Sequence, residues 1–281
     1  MKNINCNGNL IDLRKPRVMG ILNLTPDSFY DGGKYDSEKK VLARAEQILS
    51  EGATFLDLGA YSSRPGAMQV SEKEERKRLI PTLDNILRHF PEALVSVDTW
   101  RHRIAEEAIS RGACMINDIS AGNMDPEMFQ TVSRLQVPYV LMHMVGTPQT
   151  MQKHTGYKDL IRDIIFYFSE KIFALRQLGL NDLIIDLGFG FSKTLDQNYE
   201  LLSKLDLFRI LELPILTGIS RKSMIYKLIG TGPEAALNAT TAAHAIALAK
   251  GSSILRVHDV KEAIETILVL DKINQFTQEI E

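Results

Sequence analysis

Short apolar runs rich in β-branched residues alternate along this chain with longer stretches of helical periodicity, and the alternation persists from end to end. The runs predict strands at Val18–Leu24, Thr54–Gly59, Leu94–Asp98, Met115–Ile119, Pro138–His143, Leu183–Asp186, Pro214–Gly218 and Ile254–Val257. Between them a 3.6-residue pattern predicts helices over about 38–50, 72–89, 101–111, 126–135, 158–178, 196–210, 233–250 and 259–274. Eight β–α units in succession, with no linker or low-complexity tract, predict an α/β fold of the (β/α)8 TIM-barrel type. Its active site is then expected at the C-terminal ends of the strands. An open doubly wound sheet is the structural alternative. Residues 1–16 read as a polar leader able to form a hairpin cap, and 17–281 as the barrel.

The polar residues fall where a barrel would need them. Strand one ends in Asn23-Leu24-Thr25-Pro26-Asp27-Ser28-Phe29, and strand two leads to Ser62-Ser63-Arg64-Pro65-Gly66. The next four end in Asp98-Thr99, Asn117-Asp118, Met142-His143-Met144 and Asp186. Strand seven runs into Ser220-Arg221-Lys222-Ser223, and strand eight carries Arg256-Val257-His258-Asp259. Amphipathic helices alone do not require polar side chains at one end of every strand.

Composition narrows the class. The chain has 281 residues, 44% of them hydrophobic and 24% charged, with 33 basic against 35 acidic side chains. That is an ordinary globular balance, and no basic stripe points to nucleic acid. Two cysteines, Cys6 and Cys114, give neither a disulfide framework nor zinc spacing. The N-terminus lacks the apolar core of a signal peptide and no run is long enough to span a membrane, so a cytoplasmic enzyme is expected.

Asp186 closes a buried strand and is followed by Gly188 and Gly190, which let a loop approach a ligand closely. A carboxylate there offers two acceptor oxygens to a planar N–H/NH2 fork, although a strand-end Asp also serves as a helix cap. Asp98 carries the same two readings. Arg256 and His258, two apart on a strand, point the same way, and with Arg64 and Asn23 they suit an anion of phosphate type. The uncharged carbonyl of Asn23 suits one inner-sphere position on Mg2+, which otherwise keeps waters and substrate phosphates. Lys222 follows its strand in a loop, which favours hydrogen-bond donation over Schiff-base chemistry. The segments Thr25–Tyr35 and Ser62–Ser71 are long for βα connections and read as candidate lids.

Taken together, these motifs resemble the dihydropteroate synthases, the pterin-binding barrel enzymes of folate biosynthesis. The resemblance runs from Arg17 to about Leu270. It is carried by Asn23–Phe29 with Asp31-Gly32-Gly33, Ser63-Arg64-Pro65-Gly66, Ser96-Val97-Asp98-Thr99, Ile116-Asn117-Asp118, Asp186–Phe191, Ser220–Ser223 and Arg256–Asp259. It implies joining p-aminobenzoate to 6-hydroxymethyl-7,8-dihydropterin diphosphate in a Mg2+-dependent homodimer that sulfonamides would inhibit. Asp98, Asp186, Lys222 and Arg256 would then be catalytic. Asp186 would take the pterin N3–H and 2-amino group, Asn117 and Asp98 the other ring nitrogens, and Lys222 the carbonyl region. Asn23 would bind the metal, Arg256 and His258 the diphosphate, with Arg64 near the anion and Ser223 holding the benzoate carboxylate. Phe29, Ser63, Pro65, Met142, Phe191 and Val257 complete the implied substrate contacts.

Two departures stand out. Tyr61-Ser62-Ser63 occupies the place where the family usually has Glu-Ser-Thr, and Val145 stands where Gln is common. A methyltetrahydrofolate-dependent methyltransferase is the enzymatic alternative, but it has no need of an anion clamp. A non-catalytic pterin-binding protein is the other, and it gives no reason to keep Asn23, Asp98 and Arg256 together.

Overall fold

Strands buried on both faces read as continuous apolar runs, and such strands fit a parallel sheet covered by helices. The computed structural model, which describes residues 3–24, 34–61 and 70–277, realises that arrangement. The chain begins with a hairpin, β1 (Asn3–Cys6) and β2 (Asn9–Asp12). Eight strands follow: β3 (Arg17–Asn23), β4 (Phe55–Gly59), β5 (Leu94–Asp98), β6 (Met115–Asp118), β7 (Tyr139–Met142), β8 (Leu183–Asp186), β9 (Ile215–Thr217) and β10 (Ile254–Val257). They close into a barrel of order β10-β3-β4-β5-β6-β7-β8-β9, every pairing parallel. The open-sheet alternative is thereby excluded.

The outer layer holds α1 (Lys34–Ser50), α2 (Glu72–His89), α3 (His102–Ser110), α4 (Met128–Leu135), α5 (Leu160–Gln177), α6 (Leu195–Ser203), α7 (Ser223–Leu228), α8 (Leu237–Ala249) and α9 (Val260–Thr277). The expected helix over 196–210 stops at Ser203 and continues as a 3-10 segment, Leu205–Leu211. Leu205 and Phe208 are both buried there, and a spacing of three suits the tighter helix. The expected helix over 233–250 starts later, because Pro233 opens a separate 3-10 turn before Leu237. The short α7 is an element the periodicity did not resolve. Among the described residues no helix is long and apolar enough to cross a membrane.

Strand register decides which side chains enter the barrel. Phe55, Asp57 and Gly59 of β4 lie beside Met19, Ile21 and Asn23 of β3 and beside Leu94, Ser96 and Asp98 of β5. Side chains alternate along a strand, so these positions share the interior while Leu56 and Leu58 join the core under the helices. The interior is apolar at its N-terminal end, where Met19, Phe55, Met115, Val140, Ile184, Leu216 and Ile254 pack together. The hairpin inserts Ile4 and Cys6 into that cluster, joined by Leu13. Its Asn7-Gly8 corner, φ 50° and 85°, is the left-handed pair that a tight hairpin requires. Asn5 N donates to Asp182 Oδ2 (2.9 Å) and Asn7 Nδ2 to Gly112 O (2.9 Å), tying the hairpin to loops that precede strands. The leader thus plugs the end opposite the polar rim.

Candidate active site

Toward the C-terminal end the barrel interior turns polar. Arg256, on β10, reaches across it: Nε donates to Asp57 Oδ2 (2.6 Å) and Nη2 to Asp98 Oδ2 (2.9 Å). Asn117 Nδ2 donates to the same Asp57 oxygen at 3.1 Å. Burial opposes the charge on Arg256, but the two carboxylates outweigh it and raise its pKa. Asp98 is desolvated enough to titrate at about 6, even though Arg256 favours its ionised form. Its remaining oxygen, Oδ1, accepts from the Tyr61 hydroxyl at 2.8 Å. Asp98 therefore caps no helix; the α3 N-cap is Arg101.

Asp186, 4% exposed, ends β8. Its Oδ1 accepts from the Gly188 amide (2.8 Å), while Oδ2 faces the space above Gly218. A Cβ added at Gly218 would stand 3.7 Å from that oxygen, 3.9 Å from Lys222 Nζ and 4.0 Å from Arg256 Cβ. The missing side chain leaves a hollow where an acceptor and a donor converge. Burial raises the Asp186 pKa against the pull of Lys222, and burial lowers Lys222 to about 8. Lys222 Nζ also donates to Phe189 O (2.6 Å) and lies 4.7 Å from the centre of the Phe191 ring. Phe191 and Met142 belong to an apolar cluster with Ile119, Met144 and Met151, which walls one side of the rim.

The glycine loop after β8 is held from beneath. Lys193 Nζ donates to Gly188 O and Phe191 O and contacts His143 Nδ1, each at 3.0 Å. Burial lowers Lys193 to about 7, and burial with the nearby ammonium keeps His143 neutral well below its usual range. Gly188 (φ 68°) has no room for a side chain, since a Cβ would fall 2.0 Å from His143 O.

Asn23 ends β3 beside Gly59, where a Cβ would lie 3.5 Å from Asn23 Oδ1 and 3.6 Å from Asp98 Oδ2. The glycine leaves a cradle against a hard, neutral oxygen. Among the described residues no group of three His, Cys, Asp or Glu side chains could cage a metal. The neutral oxygen of Asn23 is of the kind that fits a single inner-sphere position on Mg2+, which otherwise keeps waters and substrate phosphates.

Residues 19–258 match the model of the pterin binding enzyme family. The chain is 42% identical to the dihydropteroate synthase of Escherichia coli K12 over 94% of each chain. A Yersinia pestis dihydropteroate synthase solved with a sulfonamide drug superposes with a TM-score of 0.91 at 39% identity, over 97% of this chain and 99% of that one. A Xanthomonas albilineans dihydropteroate synthase with 4-aminobenzoic acid gives 0.90 at 37%, over 97% and 98%. The chain belongs to the dihydropteroate synthase family.

Of the site residues that family resemblance implies, Asn23, Asp98, Asn117, Met142, Asp186, Phe191, Lys222 and Arg256 meet at one rim. His258 follows directly on β10, its Nδ1 3.1 Å from Ser220 Oγ, and Ser223 opens α7 next to Lys222. Phe29, Ser63, Arg64 and Pro65, with both candidate lids in large part, lie outside the described residues. Val257 needs correction. It is fully buried in the layer between barrel and helices and pairs in register with Gly20, whose missing side chain faces Ile48 and Val260. Its side chain therefore points away from the rim. Asp118, next to Asn117, also turns outward and organises its own loop, accepting from Tyr139, Ser120 and Gly122.

Asp57 was missed in the sequence. The signal was present, since an inward-phased carboxylate in an otherwise apolar strand demands a buried cation. Lys193 left no comparable signal, because its three partners come together only through the loop's fold.

Proposed function

We propose that this chain condenses p-aminobenzoate with 6-hydroxymethyl-7,8-dihydropterin diphosphate, giving 7,8-dihydropteroate and diphosphate. The observation that carries this reading is the convergence of Asp186 Oδ2 and Lys222 Nζ over Gly218, with Asp98 and Arg256 beside them. A flat heterocycle with an N–H/NH2 edge next to a carbonyl is complementary to that acceptor–donor pair. Asp186 would receive the pterin N3–H and 2-amino hydrogens, and Lys222 would donate to the carbonyl. Asn117 and Asp98 would hold the remaining ring nitrogens, with Met142 and Phe191 against the ring. Solved relatives support one substrate and the product: one Xanthomonas albilineans enzyme structure contains 4-aminobenzoic acid and another contains 7,8-dihydropteroate.

No protein nucleophile is needed. The bond from the methylene carbon to the diphosphate oxygen breaks, and the aniline nitrogen forms a bond to that carbon and loses a proton. Positive charge spreads over the pterin as the leaving group departs. Asp98 and Asp186, already desolvated, stabilise it where it develops. Arg256 and His258 would balance the diphosphate's charge, and Ser223 would bind the benzoate carboxylate. Asn23 would hold Mg2+ through its side-chain oxygen, and the ion when bound supplies charge neutralisation to the leaving group.

A cytoplasmic homodimer is part of the same reading. Exposed apolar side chains on α8 and α9, Ile246, Leu268 and Val269, support a partner surface there. The test is incubation of purified protein with dihydropterin diphosphate, p-aminobenzoate and Mg2+, followed by chromatography for dihydropteroate. Product that disappears on adding a sulfonamide is expected. Bound pterin without product would overturn the reading in favour of a binding protein.

A further inference from the structure

The sequence departs from the family pattern at Tyr61, and the structure gives that departure a contact. Tyr61 stands two residues beyond β4, and its hydroxyl lies 2.8 Å from Asp98 Oδ1. The other Asp98 oxygen accepts from Arg256 Nη2 at 2.9 Å. The carboxylate is thus held from two sides, by a cation fixed on β10 and by a phenol arriving from β4. The Tyr61 ring packs against the apolar cluster of Ile119, Met142, Met144, Met151 and Phe191. One side chain therefore joins the acid at the rim to the apolar wall.

The direction of the bond is fixed. Burial and the charge of Asp98 push the phenol well above its usual pKa, so Tyr61 keeps its proton and donates. A glutamate in that place, ionised, could not donate to a second carboxylate; it would repel it. Tyr61 replaces a charge by a donor and an apolar ring, which suits a carboxylate that must remain in one rotamer among desolvating neighbours.

We propose that Tyr61 is a positioning residue for the transfer step: its hydroxyl fixes Asp98 in the orientation that meets the developing pterin cation, and its ring anchors that hydroxyl to the Met142–Phe191 wall. The proposal rests on the function assigned above. Its energy is that of one hydrogen bond to a charged acceptor, expressed in the transition state, where the orientation of Asp98 matters most.

The test compares parent and Tyr61→Phe, which keeps the ring in its cluster and removes only the hydroxyl. Steady-state rates are measured with dihydropterin diphosphate, p-aminobenzoate and Mg2+, together with thermal melting. The expected result is a fall in kcat of roughly tenfold, with both KM values within about twofold and an unchanged melting temperature. Arg256 and Asp57, which share the barrel interior with Asp98, and Asp118, which turns outward but acts on it through its charge, are untouched, so loss of the Tyr61 bond should also move the acid limb of kcat/KM to higher pH. Parent-like kinetics in Tyr61→Phe, or a loss confined to KM, overturns the proposal. Absence of product from the parent protein would instead refute the assigned reaction. Should Tyr61→Phe melt lower than the parent, Tyr61→Trp, which keeps an N–H donor on an aromatic frame, must retain more kcat than Tyr61→Phe; equal loss in the two overturns the proposal.

Discussion

Arg256 and Asp57 are 199 positions apart in sequence, yet their side chains meet inside the barrel, Nε to Oδ2 at 2.6 Å. Asp57 is fully buried, and its Oδ2 accepts from both that guanidinium and the Asn117 amide. Breaking an isolated buried pair typically costs about 3–5 kcal/mol, and removing Asp57 costs less than that because Arg256 keeps Asp98 as a partner. Asp57→Ala should therefore lower the melting temperature, and it should also free Arg256 from its aim at Asp98 and reduce kcat. Asp57→Asn, which keeps the shape and an acceptor, should lose less of both. Melting curves and turnover measured on the two variants check this; Asp57→Ala with parent stability and turnover refutes it.

Two groups of the assigned machinery titrate near neutrality in opposite roles. Asp98, at about 6, must be ionised to stabilise the pterin cation, and Lys222, at about 8, must be protonated to donate. As pH falls through 6 the first loses its charge, and as pH rises through 8 the second loses its proton. The profile of kcat/KM against pH is expected to be bell-shaped with limbs near those values. Lys222→Arg, whose side chain stays protonated, should abolish the alkaline limb even at reduced rate. An alkaline limb unchanged in that variant would assign it to another group.

The hairpin at the N-terminal end of the barrel should govern stability without touching chemistry. Ile4 is 2% exposed among Met19, Phe55, Met115 and Ile254, on the far side from Asp98 and Asp186. Truncating a buried Ile to Ala costs about 2–5 kcal/mol through lost transfer energy and the cavity left behind. Ile4→Ala should melt several degrees lower while its kcat at 25 °C equals the parent's. A loss of turnover in folded Ile4→Ala protein would show that the plug couples to the rim.

How far the sequence reaches is instructive. Periodicity carried the barrel, because strands buried on both faces and amphipathic helices leave distinct repeats. Strand-end phase carried Asp98, Asn117 and Asp186, whose side chains follow from alternation alone. At position 257 alternation and the family resemblance diverge: counted from Arg256, the side chain must face the helices, and it does. What stayed hidden depends on contacts between distant segments. Nothing local tells that Tyr61 donates to Asp98 or that Lys193 props Gly188 and Phe191. Helix ends were blurred for a related reason, since the 3-10 segment Leu205–Leu211 is fixed by which residues find buried sites.

Gly218 supplies the sharpest test of where the pterin sits. Its position is close to Asp186 Oδ2, Lys222 Nζ and Arg256 Cβ, but at 3.7–4.0 Å an added Cβ would make ordinary van der Waals contacts. The fold should therefore accept alanine with little loss of stability. A bound bicycle would not, because the methyl would occupy the hollow into which its N–H/NH2 edge must descend to reach Asp186. Gly218→Ala is expected to melt like the parent and to bind pterin at least tenfold more weakly by calorimetry, a loss of about 1.4 kcal/mol. Parent-like affinity in a stably folded Gly218→Ala protein would mean that the ring lies elsewhere, and that Asp186 and Lys222 converge for a reason other than gripping it.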